Sequence, residues 1–401
     1  MKMNATSIKI TTDIDAKNYQ LVLILGAGAT YSDSVNKSEN KRSPLDKGFF
    51  KNVNVPHPEE VSKINAYMEE IYDINILDSG QDSFETVMAR IYTDISNPKL
   101  GSKAFKIFKI LITLFNKRLA ETTNDLQNFH SQNFNKIISH YLSLGLNPNN
   151  ITIITFNQDI QIERNLFYLS KLKKWRERNI FHFPGAYQLG ISPNNMIESL
   201  PESRRKKFSL DYRKTGISVL KLHGSINWHS PHTKKQVSLD AMFKSDRSLY
   251  TTDYASIFPM MEITKESGKF GRKYAFPIII PPVHHKSAIL HKKIHKLWEY
   301  ARRMIIRADE MIIFGYSCPN TDYESENLLK MSFKSNCKNK KISVINPDTN
   351  IVKRFVELMS LQQVYYYRDA SFFLEDLKRS KNYLKMSSNK IVFSMGFFNR
   401  D

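Results

Sequence analysis

The sequence predicts an α/β fold: a Rossmann-like doubly wound parallel sheet with a helical insertion. Three observations predict it. Short, continuous apolar runs recur along the chain, beginning with Leu21 to Leu25 (LVLIL) and Ile151 to Thr155 (ITIIT). Such runs suit strands buried on both faces. Segments with helical periodicity alternate with them, as in doubly wound sheets. Each run ends in a small or polar cluster, and in open parallel sheets ligands sit beyond those strand ends.

Taken in order, LVLIL leads directly into Gly26-Ala27-Gly28-Ala29-Thr30. Residues 55 to 148 read mostly as helices. Phe84, Val87, Met88 and Ile91 fall at helical spacing, as do Phe105, Phe108, Ile112, Phe115 and Leu119. ITIIT is followed by Phe156-Asn157-Gln158-Asp159. Residues 165 to 215 are polar and basic and read as an inserted loop and helix region. Ser218 to Leu222 reads as a strand ending in His223-Gly224-Ser225, and residues 229 to 275 read as irregular. Pro277 to Pro282 reads as a short strand ended by proline, and Ala288 to Ile306 as a helix. Arg302, Arg303 and Arg307 suit that helix's negative end. Glu310 to Phe314 and Ile342 to Ile345 read as strands followed by Gly315-Tyr316-Ser317 and Asn346-Pro347-Asp348. The core is expected from residues 20–50 and 150–376, the helical insertion from 55–148 and a tail from 377–401. The five terminal clusters are expected along one edge.

Composition bounds the function. The chain has 401 residues, with 41% apolar and 24% charged. That is ordinary for a folded protein and excludes a mainly disordered one. Two cysteines, Cys318 and Cys337, exclude a disulfide scaffold and a four-cysteine zinc site. No apolar stretch approaches the roughly 20 residues that span a bilayer. The start, MKMNATSIKITTD, lacks a signal-peptide core, so a reducing cytoplasm is expected. With 59 Lys and Arg against 39 Asp and Glu, the formal charge is +20. A nucleic-acid partner is one reading of that charge. The other is a solvated, lysine-rich surface, since the basic runs at 171–178, 204–207 and after 378 are short and scattered.

The terminal clusters carry chemistry. Gly26-Ala27-Gly28 after a strand is the start of a phosphate-binding turn, where glycine lets backbone N–H groups approach a pyrophosphate. The full G-x-G-x-x-G is not met, because Tyr31 replaces the third glycine. Asn157 can hold a ribose hydroxyl or a water, and Asp159 can accept from an amide; an Asx turn or helix cap is the plainer reading of both. His223 at a strand end is a candidate general base. The small polar groups of Gly315, Ser317 and Asn346 suit ribose or adenine, or ordinary turns. Cys318, after Ser317, is placed to line the site. His291 and His295 stand four apart, but Lys292, Lys293 and Ile294 lie between them, so the H-E-x-x-H spacing is not met. With His284 and His285 nearby in basic surroundings, no metal is expected.

Taken in order, these motifs resemble the sirtuin family, and more closely its bacterial sirtuin-like branch. Gly26 to Thr30 is similar to GAG-A-S, Thr155 to Asp159 to T-x-N-x-D, and His223-Gly224 to the catalytic HG. Phe314 to Ser317 and Val344 to Asp348 are similar to the late G-Y-S and I-N-P-D segments. The resemblance implies a single sirtuin-like domain that binds NAD. By it, Gly26, Ala27, Gly28 and Thr30 line the pyrophosphate, and Gly315, Ser317 and Asn346 contact the adenosine half. Asn157 holds the ribose or the attacking water, Asp159 faces the nicotinamide carboxamide, and His223 is the base. The zinc module of deacylases cannot form from two cysteines, and the segment after GAGAT is long and helical. Both departures resemble the NAD hydrolases of bacterial anti-phage systems, which deplete NAD. The resemblance leaves a protein deacylase or a non-catalytic NAD or ADP-ribose-binding subunit as alternatives. It also suggests a homo-oligomer and a partner, either a HerA-type ATPase or an Argonaute-like protein, with any nucleic acid contacted indirectly and no membrane.

Overall fold

The computed structural model describes residues 18–38, 41–46, 48–54, 56–78, 83–125, 132–182, 185–189, 192–193, 216–232, 250–251, 262–263, 273–280, 292–320, 322–335, 340–380 and 391–394. In chain order the strands are β1 (Leu21–Leu25), β2 (Ile151–Thr155), β3 (Ser192–Pro193), β4 (Ser218–Lys221), β5 (Gly224–His232) and β6 (Tyr250–Thr251). They continue as β7 (Glu262–Ile263), β8 (Lys273–Ile279), β9 (Glu310–Phe314), β10 (Lys341–Ile345), β11 (Gln363–Tyr367) and β12 (Ile391–Ser394). The helices begin with α1 (Ala27–Ser32), α2 (Phe49–Asn54), α3 (Pro58–Tyr72), α4 (Phe84–Asp94), α5 (Gly101–Asp125) and α6 (Asn133–Ser143). After them come α7 (Gln161–Lys171), α8 (Lys292–Arg307), α9 (Tyr323–Ser335), α10 (Thr349–Met359) and α11 (Ala370–Ser380).

The main sheet runs β12-β11-β10-β9-β1-β2-β4. All its pairings are parallel except that of β12 with β11. The parallel strands thus follow the 3-2-1-4-5-6 order of dinucleotide-binding sheets. β1, β2, β4 and β9 are buried throughout, which is why they read as unbroken apolar runs. Leu25 is level with Thr155 and with Phe314, Thr155 with Lys221, Phe314 with Ile345, and Ile345 with Tyr367. The strands therefore end at one height, and the terminal clusters emerge along one edge.

Two cores form. The first packs the main sheet against its helices, including the apolar face of α6 with Phe134, Ile137, Ile138 and Tyr141. The second gathers Phe49, Phe50, Val61, Ile64, Phe84, Met88, Phe108 and Phe115 from α2 to α5. So α6, grouped with the insertion on sequence, belongs to the sheet layer. Ser83 caps α4 by accepting from the Thr86 N–H at 3.0 Å, and Pro58 opens α3.

Three features depart from the sequence expectations. The short strand expected from Pro277 begins earlier, as β8 from Lys273 to Ile279, and pairs antiparallel with β5 in a second sheet that was not expected, ordered β3-β6-β5-β8-β7. Residues within 229–275 supply several of its strands, where irregular chain was expected. The region after 377 adds the last turn of α11 and the edge strand β12 rather than a plain tail. The basic run 204–207, His284, His285, His291 and Cys337 lie outside the described residues. No described helix is long and apolar enough to cross a membrane.

Beneath the carboxyl edge sits a buried ion pair. Lys221 Nζ and Glu163 Oε1 are 3.1 Å apart with both side chains 0% exposed. Lys221 also donates to the Asp159 carbonyl, and Tyr187 donates to Glu163 at 2.8 Å. Burial first, then the Glu163 charge, holds the Tyr187 phenol well above its ordinary value, so it stays a donor. Removing one partner of a buried pair strands the other charge, at a cost of about 3–5 kcal/mol. Glu163→Ala is expected to lower stability by that amount in chemical denaturation, and the Lys221→Met/Glu163→Leu double variant by less than the sum of its singles. Additive losses in that cycle contradict the coupling.

A second prediction concerns Asp33, at the end of α1, which accepts from the Asn133 N–H at 2.9 Å. Burial outweighs that bond and pushes its carboxyl up to about 6. The folded chain then binds the proton more tightly than the unfolded chain. The group's contribution is therefore most favourable below about pH 4 and is lost as pH rises through about 6, on the order of 3 kcal/mol in all. Asp33→Asn is expected to gain on the wild type over that interval in unfolding experiments. Parallel pH profiles for the two proteins rule this out.

Candidate functional site

A cavity of about 900 Å³ opens at the carboxyl edge of the main sheet. It lies at the switch point, where the chain leaves β1 toward β2 and later returns as β9 on the other side. Its floor is backbone. A Cβ on Gly26 would lie 2.5 Å from the Gly315 carbonyl oxygen, and one on Gly28 would lie 2.8 Å from Gly315 Cα. Gly315 itself has φ of +60°, the left-handed region open to glycine.

Of the sequence candidates, Gly26, Ala27, Gly28, Asn157, Asp159, His223, Gly315, Ser317 and Asn346 all line this cavity. Several serve differently from what was expected. The Gly28 N–H is committed to the Gly315 carbonyl at 2.9 Å. Gly28 therefore contributes the absence of a side chain rather than a donor. Thr30 is not among the lining residues; its hydroxyl donates to Asp159 Oδ2 at 3.0 Å. Asp159 Oδ1 accepts from the Gln161 N–H at 2.9 Å, which is the Asx-type reading. Cys318 is buried outside the lining. Burial, then the Asp322 charge, pushes its thiol up to about 12, so it is no thiolate nucleophile.

Asn157 ties β2 to the glycine floor. Its side-chain nitrogen donates to the Gly26 carbonyl at 2.9 Å and to Thr30 Oγ1 at 3.3 Å. The amide oxygen is thus the atom it can present to a hydroxyl or a water. Asn346 closes the far side, with Nδ2 3.4 Å from the Tyr316 carbonyl and Oδ1 accepting from the Asp348 N–H at 3.0 Å.

His223 stands between the two sheets, after β4 and before β5. The turn is fixed by backbone. The Ile280 N–H donates to the His223 carbonyl at 3.0 Å, and a Cβ on Gly224, at φ of +79°, would collide with the Ile278 carbonyl. The imidazole meets the Phe156 ring edge-on at 5.1 Å, and Phe156 stacks on Tyr316 at 4.1 Å. His223 Nε2 is 2.9 Å from Asp322 Oδ2, with side-chain exposures of 3% and 0%.

Sequence reasoning missed Asp322, which stands just before α9 with nothing in the sequence to connect it to His223. It also missed the roof, made by Phe49, Phe84, Met88, Phe115 and Leu119 of the second core. Arg354 and Arg368 line the end near Asp348. Among the described residues no group of His, Cys, Asp and Glu could hold a metal ion.

Neither a family model nor a curated protein matches the chain. Solved structures that are similar include a mutant Sir2 homologue in complex with 2′-O-acetyl ADP ribose, at 14% identity and a TM-score of 0.41 over 90% of this chain and 91% of that one. A Sir2 homologue in complex with NAD has 14% identity and a TM-score of 0.39 over 90% and 88%. A structure of a Sir2 enzyme has 13% identity and a TM-score of 0.40 over 92% and 95%.

Gly315→Ala forces a side chain onto the Gly28 and Ala29 backbone at a left-handed residue. It is expected to cost about 1–3 kcal/mol, seen as a lower midpoint in thermal unfolding. An unchanged midpoint would show that the floor yields.

Proposed function

We propose that this cavity binds NAD and that the chain is an NAD hydrolase, cleaving the nicotinamide–ribose bond to give ADP-ribose and nicotinamide. The observation that carries the reading is the meeting of Asn157 and His223 beside a side-chain-free floor at the switch point of a dinucleotide-type sheet. A glycine floor suits close approach of a pyrophosphate. Gly26, Ala27, Gly28, Gly315, Ser317 and Asn346 hold the pyrophosphate and adenosine half, and Arg354 and Arg368 supply positive charge on that side.

The chemistry needs little from the protein at the leaving group. NAD's nicotinamide is cationic, so when the bond breaks its electron pair neutralises the ring nitrogen and leaves an oxocarbenium-like ribose. Asn157 Oδ1 orients the ribose or the water. Water adds at C1′ and passes its proton to His223. A positioned base contributes on the order of 10²–10⁴ in rate. Asp159, whose carboxylate is occupied by Thr30 and Gln161, acts by holding the β2 end in shape. That occupancy also favours a second reading, a non-catalytic NAD- or ADP-ribose-binding subunit. In the cell, the resemblance to anti-phage NAD hydrolases supports a defence effector acting by NAD depletion. The same resemblance supports a homo-oligomer working with a HerA-type ATPase or an Argonaute-like partner.

The test is incubation of the full chain with NAD, alone and with such partners, and separation of nicotinamide from ADP-ribose. Turnover by the wild type and its loss, by about 10²-fold or more, in His223→Ala and Asn157→Ala are expected, with folding retained by circular dichroism. ADP-ribose binding without turnover supports the second reading instead.

A further inference from the structure

The buried carboxylate of Asp322 has no part in the scheme above, yet it makes the closest side-chain contact described for His223. We infer that Asp322 is a positioning residue that fixes the tautomer and orientation of His223 for proton transfer, an inference that rests on the hydrolase reading of the site.

Four observations carry it. The Nε2–Oδ2 separation is 2.9 Å, that of a charge-assisted hydrogen bond. Both side chains are nearly or fully buried, so water does not compete for the contact. Asp322 is itself held: Ser325 donates to it from both its hydroxyl and its N–H, the latter at 3.4 Å. It also sits at the start of α9, where the helix dipole favours a negative charge. The His223 ring has little room to turn, with Phe156 on one side at 5.1 Å and Trp298 at 6.3 Å.

The consequence for the proton is direct. An ionised Asp322 accepts only, so Nε2 carries the hydrogen and the basic atom of the neutral ring is Nδ1. When water attacks C1′, its oxygen bonds to the ribose and the C1′–N bond electrons leave with nicotinamide. The water's proton goes to Nδ1, and the resulting imidazolium lies against a fixed negative charge until it releases that proton to solvent. Asp322 stays ionised throughout. The arrangement follows the logic of a buried carboxylate behind a catalytic histidine, where the amide replacement leaves geometry intact but costs about 10⁴ in kcat.

The experiment uses the full chain with NAD and follows nicotinamide release in the wild type, Asp322→Asn and Asp322→Glu. In parallel, nitrogen resonances of ¹⁵N-histidine-labelled protein are recorded, with His223 assigned by its loss in His223→Ala. Asp322→Asn is expected to lower kcat by about 10²–10⁴ with KM changed less than about threefold. Asp322→Glu should restore part of the rate by restoring the charge. The wild-type His223 should show a protonated Nε2 and an unprotonated Nδ1, and Asp322→Asn should shift both signals at the same pH. A folded Asp322→Asn with wild-type kcat, a loss confined to KM, or wild-type nitrogen shifts in that variant each overturn the inference. If Asp322→Asn does not fold, a protonated Nδ1 in the wild type overturns it. A wild type that never consumes NAD defeats the hydrolase reading separately, and the nitrogen shifts then decide the dyad alone.

Discussion

The close packing of Gly26 and Gly28 against Gly315 is the constraint on which the rest of this structure depends. β1 and β9 are paired and level, so the chain leaving each strand must pass the other at backbone distance. Any side chain there would occupy the space between them. Because β1 also pairs with β2, the crossovers depart to opposite sides and open a crevice above the contact. The crevice is therefore floored by backbone and walled by whatever follows the neighbouring strands. Asn157 fastens the β2 side to this floor through the Gly26 carbonyl, and Asn346 fastens the β10 side through the Tyr316 carbonyl. The floor and both walls are thus parts of one hydrogen-bonded unit.

Around that unit the interior holds a buried polar network. Thr30 donates to Asp159, Lys221 donates to the Asp159 carbonyl and pairs with Glu163, and Tyr187 donates to Glu163. The line continues through Asn227, which donates to Tyr187, to Ser225, whose hydroxyl donates to Asn227 at 2.6 Å and lies 3.3 Å from the Gln158 carbonyl. It begins at the glycine floor and ends in the second sheet. Buried polar groups carry a heavy penalty when unpaired, so the members stand or fall together. This gives a physical account of why a short HGS turn, between two sheets of different direction, can hold His223 in one place.

Much of this was legible in the sequence, for identifiable reasons. LVLIL and ITIIT read as strands because both faces of a parallel sheet are covered and no polar alternation interrupts the signal. Phe84 to Ile95 reads as a helix, observed over Phe84–Asp94, because one apolar face packs into the second core. The second sheet was not legible. Its strands β3, β6 and β7 are two residues each, too short for period or propensity to mark, and of β8 only the stretch from Pro277 reads as a strand. The pairing of β5 with β8 is a tertiary fact. The same holds for the site. Glycines after a strand announce a close approach, but which N–H is already spent on Gly315 is visible only in three dimensions. Asp322 was not legible at all, because its partner His223 lies far away in sequence.

The charge of +20 takes on a different meaning once it is located. Within the basic run at 171–178, Lys174 and Arg178 lie over the Trp175 ring at 4.3 and 5.3 Å, and Arg178 donates to the Leu142 carbonyl. These cations are partly spent on packing the fold. The cavity has the opposite balance. Among the described residues its lining holds Asp46, Glu85, Asp159, Asp322, Asp348 and Asp369 against Arg354 and Arg368. A groove for a nucleic-acid backbone needs cations along its length. Here Asp159 and Asp322 stand beside Asn157 and His223, and at the β10 and β11 end Asp348 and Asp369 stand with Arg354 and Arg368. The apolar roof from the second core covers the strand ends beneath it, so these charges meet across a partly apolar cavity rather than along an open basic groove.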